Sequence, residues 1–169
     1  MNPKIYSWKE EGVRCVAIYP YEGRFQTLLY QFKGVNDIEL YSVFLDQILP
    51  IIKIMFRGYY IVPVPSSDSH NLNRGYNQVE EMYKVLGLPF LKILRKTEDH
   101  KQSNLSFEKR KEVGRVLKFV ENLPNLEHKK ILLVDDVFTT GSTIRACIKH
   151  LKKLNPKKIK VLVSGKTRL

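Results

Sequence analysis

Short apolar runs separated by polar segments are the first pattern along this chain. Four of them predict buried strands, namely Cys15–Tyr19, Tyr60–Val64, Ile131–Val134 and Ile159–Val163. Two weaker runs, Phe90–Leu94 and Leu117–Val120, predict short strands on either side of a polar segment. Pro63 cannot donate to a sheet ladder, so the second run is not an ordinary central strand at that point.

Apolar residues between these runs recur at helical spacing. Three stripes predict amphipathic helices: Phe25, Leu28, Leu29 and Phe32, ended by Gly34; Val79, Met82, Tyr83 and Leu86, ended by Gly87; and Ile144, Cys147, Ile148 and Leu151, starting at about Ser142. A further helix is predicted from about Asp37 to Leu49, kinked or restarted by Pro50. Strands that alternate with helices predict an α/β fold with a mainly parallel, twisted sheet flanked by helices.

The length of 169 residues is within the range of one domain, and no segment is a convincing linker. The first residues contain no apolar stretch of the kind found in signal peptides. The most apolar segment, residues 48–56, contains Pro50 and Lys53 and is too short to span a bilayer. These features predict a cytoplasmic protein without membrane insertion.

The formal net charge of +12 predicts an anionic partner without identifying it. A pyrophosphate substrate, a nucleic acid and an acidic protein would all be attracted. The pairs Lys129-Lys130, Lys152-Lys153 and Lys157-Lys158 are interpreted as solvated faces. Cys15 and Cys147 are far apart and predict packed, reduced thiols, and the four histidines are scattered, so a transition-metal site is not indicated.

The candidate chemistry is concentrated in Ile131–Thr143. Asp135 and Asp136 follow the apolar run, and Thr139, Thr140, Gly141, Ser142 and Thr143 form a hydroxyl-rich turn before a predicted helix. Hydroxyls, backbone N–H groups and a helix N-terminus suit a phosphate. Two carboxylates beside it suit the hydroxyls of a sugar, so the segment fits a ribose 5-phosphate. A buried strand, an acidic turn and a helix cap are the alternative.

A second turn, Pro65-Ser66-Ser67, follows another predicted parallel strand and therefore lies at the same sheet edge. Its backbone amides could bind an anion, or it is a stiff turn without a ligand. Arg74 could pair bidentately with a pyrophosphate, and Asn77 either contributes to this site or caps the next helix.

These motifs together resemble the ComF family of competence-associated, type I phosphoribosyltransferase-like proteins. The resemblance rests on VPVPSS, RGYNQ and LVDDVFTTGST and covers residues 19–168. It implies the type I phosphoribosyltransferase fold with a small hood region. It also implies that phosphoribosyl pyrophosphate (PRPP) binds with its ribose on Asp135 and Asp136, its 5-phosphate on residues 139–143, and its pyrophosphate on Pro65, Ser66, Ser67 and Arg74.

The resemblance further implies a flexible hood loop at residues 95–111, in which Lys101 and Gln102 swing toward PRPP. A basic loop without a catalytic role is the alternative. The expected catalytic residues are Asp135, Asp136, Arg74 and Lys101. Mg²⁺ is the expected cofactor, held through the substrate and by Asp135 and Asp136. Residues 1–57 are expected to contribute to the hood, and residues 58–169 to form the core sheet of a single domain.

Two departures limit what the resemblance implies. Many ComF-type proteins carry a cysteine-rich zinc-binding segment ahead of the transferase domain, whereas this sequence has only Cys15 in that region. Some purine transferases have an acidic residue where this chain has Thr139. A general base at this position is therefore missing, and the acceptor is not identified.

Transfer or hydrolysis of the phosphoribosyl group, linked to DNA uptake, is the expected function. A non-catalytic PRPP- or nucleotide-binding protein, or a single-stranded-DNA-binding competence protein that contacts other DNA-uptake proteins, is the alternative. The oligomeric state is not predicted.

Overall fold

A computed structural model describes residues 3–35, 44–65, 77–98 and 115–167. Seven strands form a five-stranded sheet and a separate two-stranded sheet in this part of the chain. The strands are β1 (Tyr6–Glu10), β2 (Val13–Pro20), β3 (Tyr59–Pro63), β4 (Leu94–Glu98), β5 (Arg115–Phe119), β6 (Lys130–Phe138) and β7 (Lys158–Lys166). The helices are α1 (Gly23–Val35), α2 (Leu49–Met55), α3 (Gln78–Tyr83) and α4 (Ser142–Lys152), with short 3-10 helices at Asp46–Ile48 and Lys84–Leu86.

The larger sheet has the order β1-β2-β7-β6-β3. Strands β2, β7, β6 and β3 are mutually parallel, and β1 is added antiparallel at one edge. The predicted mainly parallel α/β fold is therefore confirmed. Strand β6 extends beyond the predicted Ile131–Val134 to Phe138, so both aspartates lie within the strand. Strand β1 was not predicted from the sequence.

Pro63 ends β3 without breaking the ladder to β6. The N–H of Val64 donates to the carbonyl of Val134 at 2.8 Å, whereas the N–H of Ile61 points the other way, to the carbonyl of Pro89 at 2.8 Å. Backbone N–H groups alternate in direction along a strand. Pro63 is two residues from Ile61, so its backbone nitrogen also faces away from β6. The N–H that proline lacks is therefore not one that would bond to β6.

Two apolar layers cover the faces of the sheet. One layer contains the buried side of α1, α2 and α3 against Leu132, Val134 and Leu162. The other packs α4 and the β4–β5 hairpin against the opposite face. The predicted stripe of α4 is confirmed, since its buried residues are Ile144, Cys147, Ile148 and Leu151. Both faces are therefore covered, as continuous apolar strands require.

Two element predictions need correction. The strand predicted at Phe90–Leu94 begins only at Leu94 and pairs with β5 in a separate hairpin, while Phe90 makes an isolated bridge to Ile61. Residues 95–98 of the predicted polar loop are therefore strand. The helix predicted at 37–49 lies partly outside the described residues. Its described end is a 3-10 turn, and α2 restarts with Pro50 in its first turn, as the proline predicted.

The predicted division between hood and core stays a prediction, although β1 and β2 both belong to the larger sheet. The part of the hood loop at residues 99–111 lies outside the described residues. Within the described ranges, no helix has the length and apolar composition needed to cross a membrane.

Gly165 allows α1 to pack directly on β7. A Cβ at this position would overlap the ring of Phe25, lying 2.9 Å from Cζ. We expect Gly165→Ala to lower the free energy of unfolding by about 1–3 kcal/mol, because overpacking forces the ring to move. In a double-mutant cycle with Phe25→Leu, measured by urea denaturation, the smaller side chain should relieve part of this loss. Strictly additive effects would show that the ring is not the cause.

Candidate functional site

The carboxyl ends of four parallel strands meet at one edge of the larger sheet. The bond from Val64 to Val134 fixes the end of β3 beside β6, so Pro65 emerges next to the strand that carries Asp135 and Asp136. Ligands of open α/β sheets bind at this edge. The structure therefore brings together the two motifs that the sequence predicted to be neighbours.

The two aspartates at the end of β6 are held against their own backbone. Asp135 Oδ1 accepts a hydrogen bond from the N–H of Asp136 at 2.9 Å, and Asp136 Oδ1 accepts one from the N–H of Val137 at 2.6 Å. Both side chains are half-buried. These bonds orient two carboxylates at the sheet edge.

A buried hydroxyl from α3 supports the backbone beneath this pair. Tyr83 Oη donates to the carbonyl of Asp135 at 2.9 Å and lies 3.1 Å from Ser164 Oγ on β7. Burial raises the pKa of the Tyr83 phenol, and the charges of Asp135 and Asp136 raise it further. Tyr83 therefore stays protonated and remains a hydrogen-bond donor to the strand.

The turn after β6 forms a small cradle at the start of α4. It encloses a cavity of about 40 Å³ lined by Asp135, Val137 and residues 138–144. Gly141 precedes the helix at φ 74° and, as the N-cap residue, has no side chain to cap α4. The first N–H groups of a helix have no intrahelical acceptor. Thr140 Oγ1 donates to Ser142 Oγ at 3.2 Å, so the Ser142 hydroxyl lies beside these N–H groups as a further donor.

Gly141 is required by this geometry. Its positive φ disfavours other residues, and a Cβ would overlap the Phe138 ring and lie 2.9 Å from Arg145 Nη1. Arg145 is itself held by an ion pair with Glu10 of β1 at 3.1 Å. The unpredicted edge strand thus fixes the helix that begins the cradle.

The end of β7 closes the cradle from the other side. The N–H of Thr167 donates to the carbonyl of Phe138 at 3.0 Å, and its hydroxyl donates to the carbonyl of Thr139 at 3.4 Å. The ammonium of Lys166 lies 5.4 Å from the Trp8 ring centre and 5.8 Å from that of Phe138. Sequence reasoning missed these residues. The strand order is the signal that could identify them, because a strand parallel to β6 and next to it ends beside the turn that follows β6.

Other predicted site residues lie outside the described residues, namely Ser66, Ser67, Arg74, Lys101 and Gln102. Their roles stay predictions. Asn77 is described, and its Oδ1 accepts from the N–H groups of Val79 at 3.0 Å and Glu80 at 3.3 Å. The alternative that Asn77 caps the following helix is therefore confirmed.

The described residues contain no group of three or more His, Cys, Asp or Glu side chains placed to hold a metal ion. Cys15 and Cys147 are buried free thiols, as predicted. Burial raises the pKa of each to about 12, and Asp135 adds to the effect on Cys147. Both therefore stay protonated.

Comparison with known proteins agrees with this geometry. Residues 72–167 match the model of the phosphoribosyl transferase domain, and the fold is that of the type I phosphoribosyltransferases. The chain is 32% identical over 155 residues to Competence protein ComFC of Streptococcus pneumoniae, covering 90% of this chain and 69% of that protein. It is 27% identical over 133 residues to the Bacillus subtilis Competence protein ComFC, covering 76% and 53%. The chain belongs to the ComF family of competence-associated proteins.

Among solved structures, similar chains include a purine phosphoribosyltransferase from Pyrococcus horikoshii, with 17% identity, a TM-score of 0.43 and coverage of 73% of this chain and 70% of that one. A hypoxanthine phosphoribosyltransferase from Staphylococcus aureus has 11% identity, a TM-score of 0.47 and coverage of 76% and 73%.

The hydroxyl of Tyr83 should stabilise the fold, whereas that of Tyr19 should not. Tyr19 Oη is buried without a hydrogen-bond partner in the described part of the chain. We expect Tyr83→Phe to lower the free energy of unfolding by about 1–3 kcal/mol, because the carbonyl of Asp135 loses its donor. Tyr19→Phe, the matched control, should be neutral or stabilising. Urea denaturation measures both, and equal effects of the two substitutions would contradict this assignment.

Proposed function

We propose that this protein binds Mg-PRPP at the carboxyl edge of the larger sheet and transfers or hydrolyses its phosphoribosyl group with release of pyrophosphate. The observation that carries the proposal is the juxtaposition of two oriented aspartates with a helix N-terminus whose N-cap residue is a glycine. Membership of a family with a phosphoribosyltransferase domain supports it.

Each half of the ligand has chemically suited partners. The 5-phosphate would accept hydrogen bonds from the first N–H groups of α4 and from the hydroxyls of Thr139, Thr140, Ser142 and Thr143, in the field of the helix dipole. The ribose hydroxyls would donate to Asp135 and Asp136. A carboxylate beside a phosphate is unfavourable unless it accepts such bonds, so the pair favours a sugar phosphate over inorganic phosphate.

The pyrophosphate is assigned to the turn that begins at Pro65, with Ser66, Ser67 and Arg74. Pro65 supports this assignment by its position at the same edge as the cradle. The hood residues Lys101 and Gln102 would close over the ligand and exclude water. Arg74 and Lys101 would offset the charge that develops on the departing pyrophosphate.

The aspartate pair also fits Mg²⁺, which prefers oxygen ligands and is commonly held by one or two carboxylates together with substrate phosphates. Asp135 and Asp136 would supply those carboxylates. When bound, the ion would neutralise charge on the pyrophosphate and so make it a better leaving group.

The reaction needs positioning and electrostatic stabilisation more than a protein nucleophile. The bond between C1 of the ribose and pyrophosphate breaks, and its electron pair leaves with pyrophosphate. The acceptor or water bonds to C1 and loses a proton. Thr139 cannot take that proton as a carboxylate would, so the acceptor must lose it to another group.

Isothermal titration calorimetry with Mg-PRPP tests the binding site. We expect Asp135→Asn/Asp136→Asn to weaken binding about 100-fold, since two hydrogen bonds to charged groups are lost. Glu121→Gln/Glu127→Gln is the matched control, because it removes two exposed carboxylates outside the site. A long-range charge effect alone would strengthen binding of an anion in both variants. Unchanged binding in the aspartate variant would remove the proposal.

Pyrophosphate release from Mg-PRPP tests the chemistry. Across a panel of nucleobases and small amines, we expect release that depends on one acceptor class, or on water, and that disappears in Asp135→Asn/Asp136→Asn. Release at the same rate in both proteins would point to a contaminating enzyme. Tight binding without release would establish the non-catalytic PRPP-binding alternative.

A role in DNA uptake is a second candidate function. It is supported by the similarity to proteins named for competence and by the net charge of +12. In this role the protein would bind single-stranded DNA or other DNA-uptake proteins, with PRPP binding retained. Phosphate contacts of this kind weaken steeply with added salt.

A further inference from the structure

Five cationic side chains lie together at the amino-terminal edge of the larger sheet, opposite the proposed PRPP site. Lys9, Arg14 and Lys160 form one row across β1, β2 and β7, because Lys9 pairs with Arg14 and Arg14 with Lys160. Lys130 and Lys158 form a second row on β6 and β7. Residues two apart on a strand point to the same face of the sheet. Lys158 and Lys160 both lie on β7, so the two rows are neighbours on one face.

These cations have no acidic counterpart among the described residues. None of them takes part in the ion pairs found there. Like charges directly opposite each other in a sheet are destabilising. Burial lowers the pKa of Lys160, and Lys158, Arg14 and Lys130 lower it further. The close spacing of these positive charges therefore favours the binding of an anion.

Four of the five cations, all except Lys130, line a groove. Its volume is about 600 Å³, and its walls include Lys9, Arg14, Lys158 and Lys160 together with the turn at Asn155 and Pro156. Ligand pockets of small molecules typically fall in this range of volume. The charges are thus concentrated in a space that a compact anion can enter.

The aromatic rings beside Lys160 do not provide a stacking surface for a nucleic acid, which favours a small ligand. The ammonium of Lys160 lies 5.3 Å from the ring centre of Phe56 and 5.4 Å from that of Tyr59. These rings are 0% and 4% exposed, so they cannot stack on bases. Single-stranded nucleic acids are usually bound by aromatic stacking as well as by charge.

We propose that this groove is a second anion site that binds a compact polyphosphate, the group carried by nucleoside triphosphates and by short inorganic polyphosphates. The site is independent of the proposed PRPP site, because the two lie at opposite ends of the parallel strands. Its ligand would offset the repulsion between the two rows of cations and stabilise the folded protein.

Calorimetry with inorganic tripolyphosphate at about 0.15 M salt, near physiological ionic strength, tests the groove. We expect Arg14→Gln/Lys160→Gln to weaken binding at least about tenfold. The control Lys92→Gln/Lys118→Gln removes two exposed charges outside the groove and should change affinity less than about twofold. An equal loss in both variants, or no binding by the unmodified protein, would overturn the proposal. If the first variant does not fold, Lys158→Gln takes its place.

Hydrogen exchange localises the ligand independently. Tripolyphosphate should protect residues 9–14 and 152–160 and leave residues 139–143 unchanged, and the reverse pattern would place it in the cradle and refute a second site. Competition with a nucleoside triphosphate tells whether a nucleoside adds affinity to the shared phosphate group. A single-stranded oligonucleotide is the last probe. If it binds, if Arg14→Gln/Lys160→Gln abolishes that binding, and if tripolyphosphate does not displace it, the groove is a nucleic-acid site instead.

Discussion

The parallel register of β6 between β3 and β7 is the constraint on which the rest of the structure depends. It places Asp135 opposite Val163 and Phe138 opposite Lys166, so the cradle, the aspartate pair and the end of β7 meet at one edge. The same register opposes Lys130 to Lys158 at the other edge. The backbone hydrogen bonds of β6 thus position the proposed PRPP site at one edge and contribute one row of the cation cluster at the other.

The sequence predicted best those elements whose pattern is local and whose burial is complete. The strand at Ile131–Val134 and the stripe of α4 are fully buried. A continuous apolar run predicts the strand, and apolar residues at helical spacing predict the helix. Strand β1 has no fully buried residue, since its side chains alternate only between half-buried and exposed. Its position as an edge strand depends on pairing with β2, which a local pattern does not encode.

The candidate site divides in the same way. Residues 135–143 are contiguous, so a sequence motif identifies them without reference to the fold. Tyr83, Lys166 and Thr167 act on that segment from other elements, and their roles follow only from strand order and packing. The sequence pattern interprets the lysine pairs as solvated faces. Cross-strand pairing adds that Lys130 and Lys158, which are far apart in the sequence, lie opposite each other.

The proline that ends β3 also affects how copies of this protein behave toward one another. An edge strand with exposed N–H and C=O groups is a template for a strand of another molecule. On the outer side of β3, the N–H and C=O of Ile61 already bond to the segment around Phe90. The next residue of β3 whose backbone nitrogen faces outward is Pro63, which has no N–H. A strand from another molecule would therefore lack one hydrogen bond at the border nearest the proposed PRPP site, which disfavours growth of the sheet into an intermolecular one there.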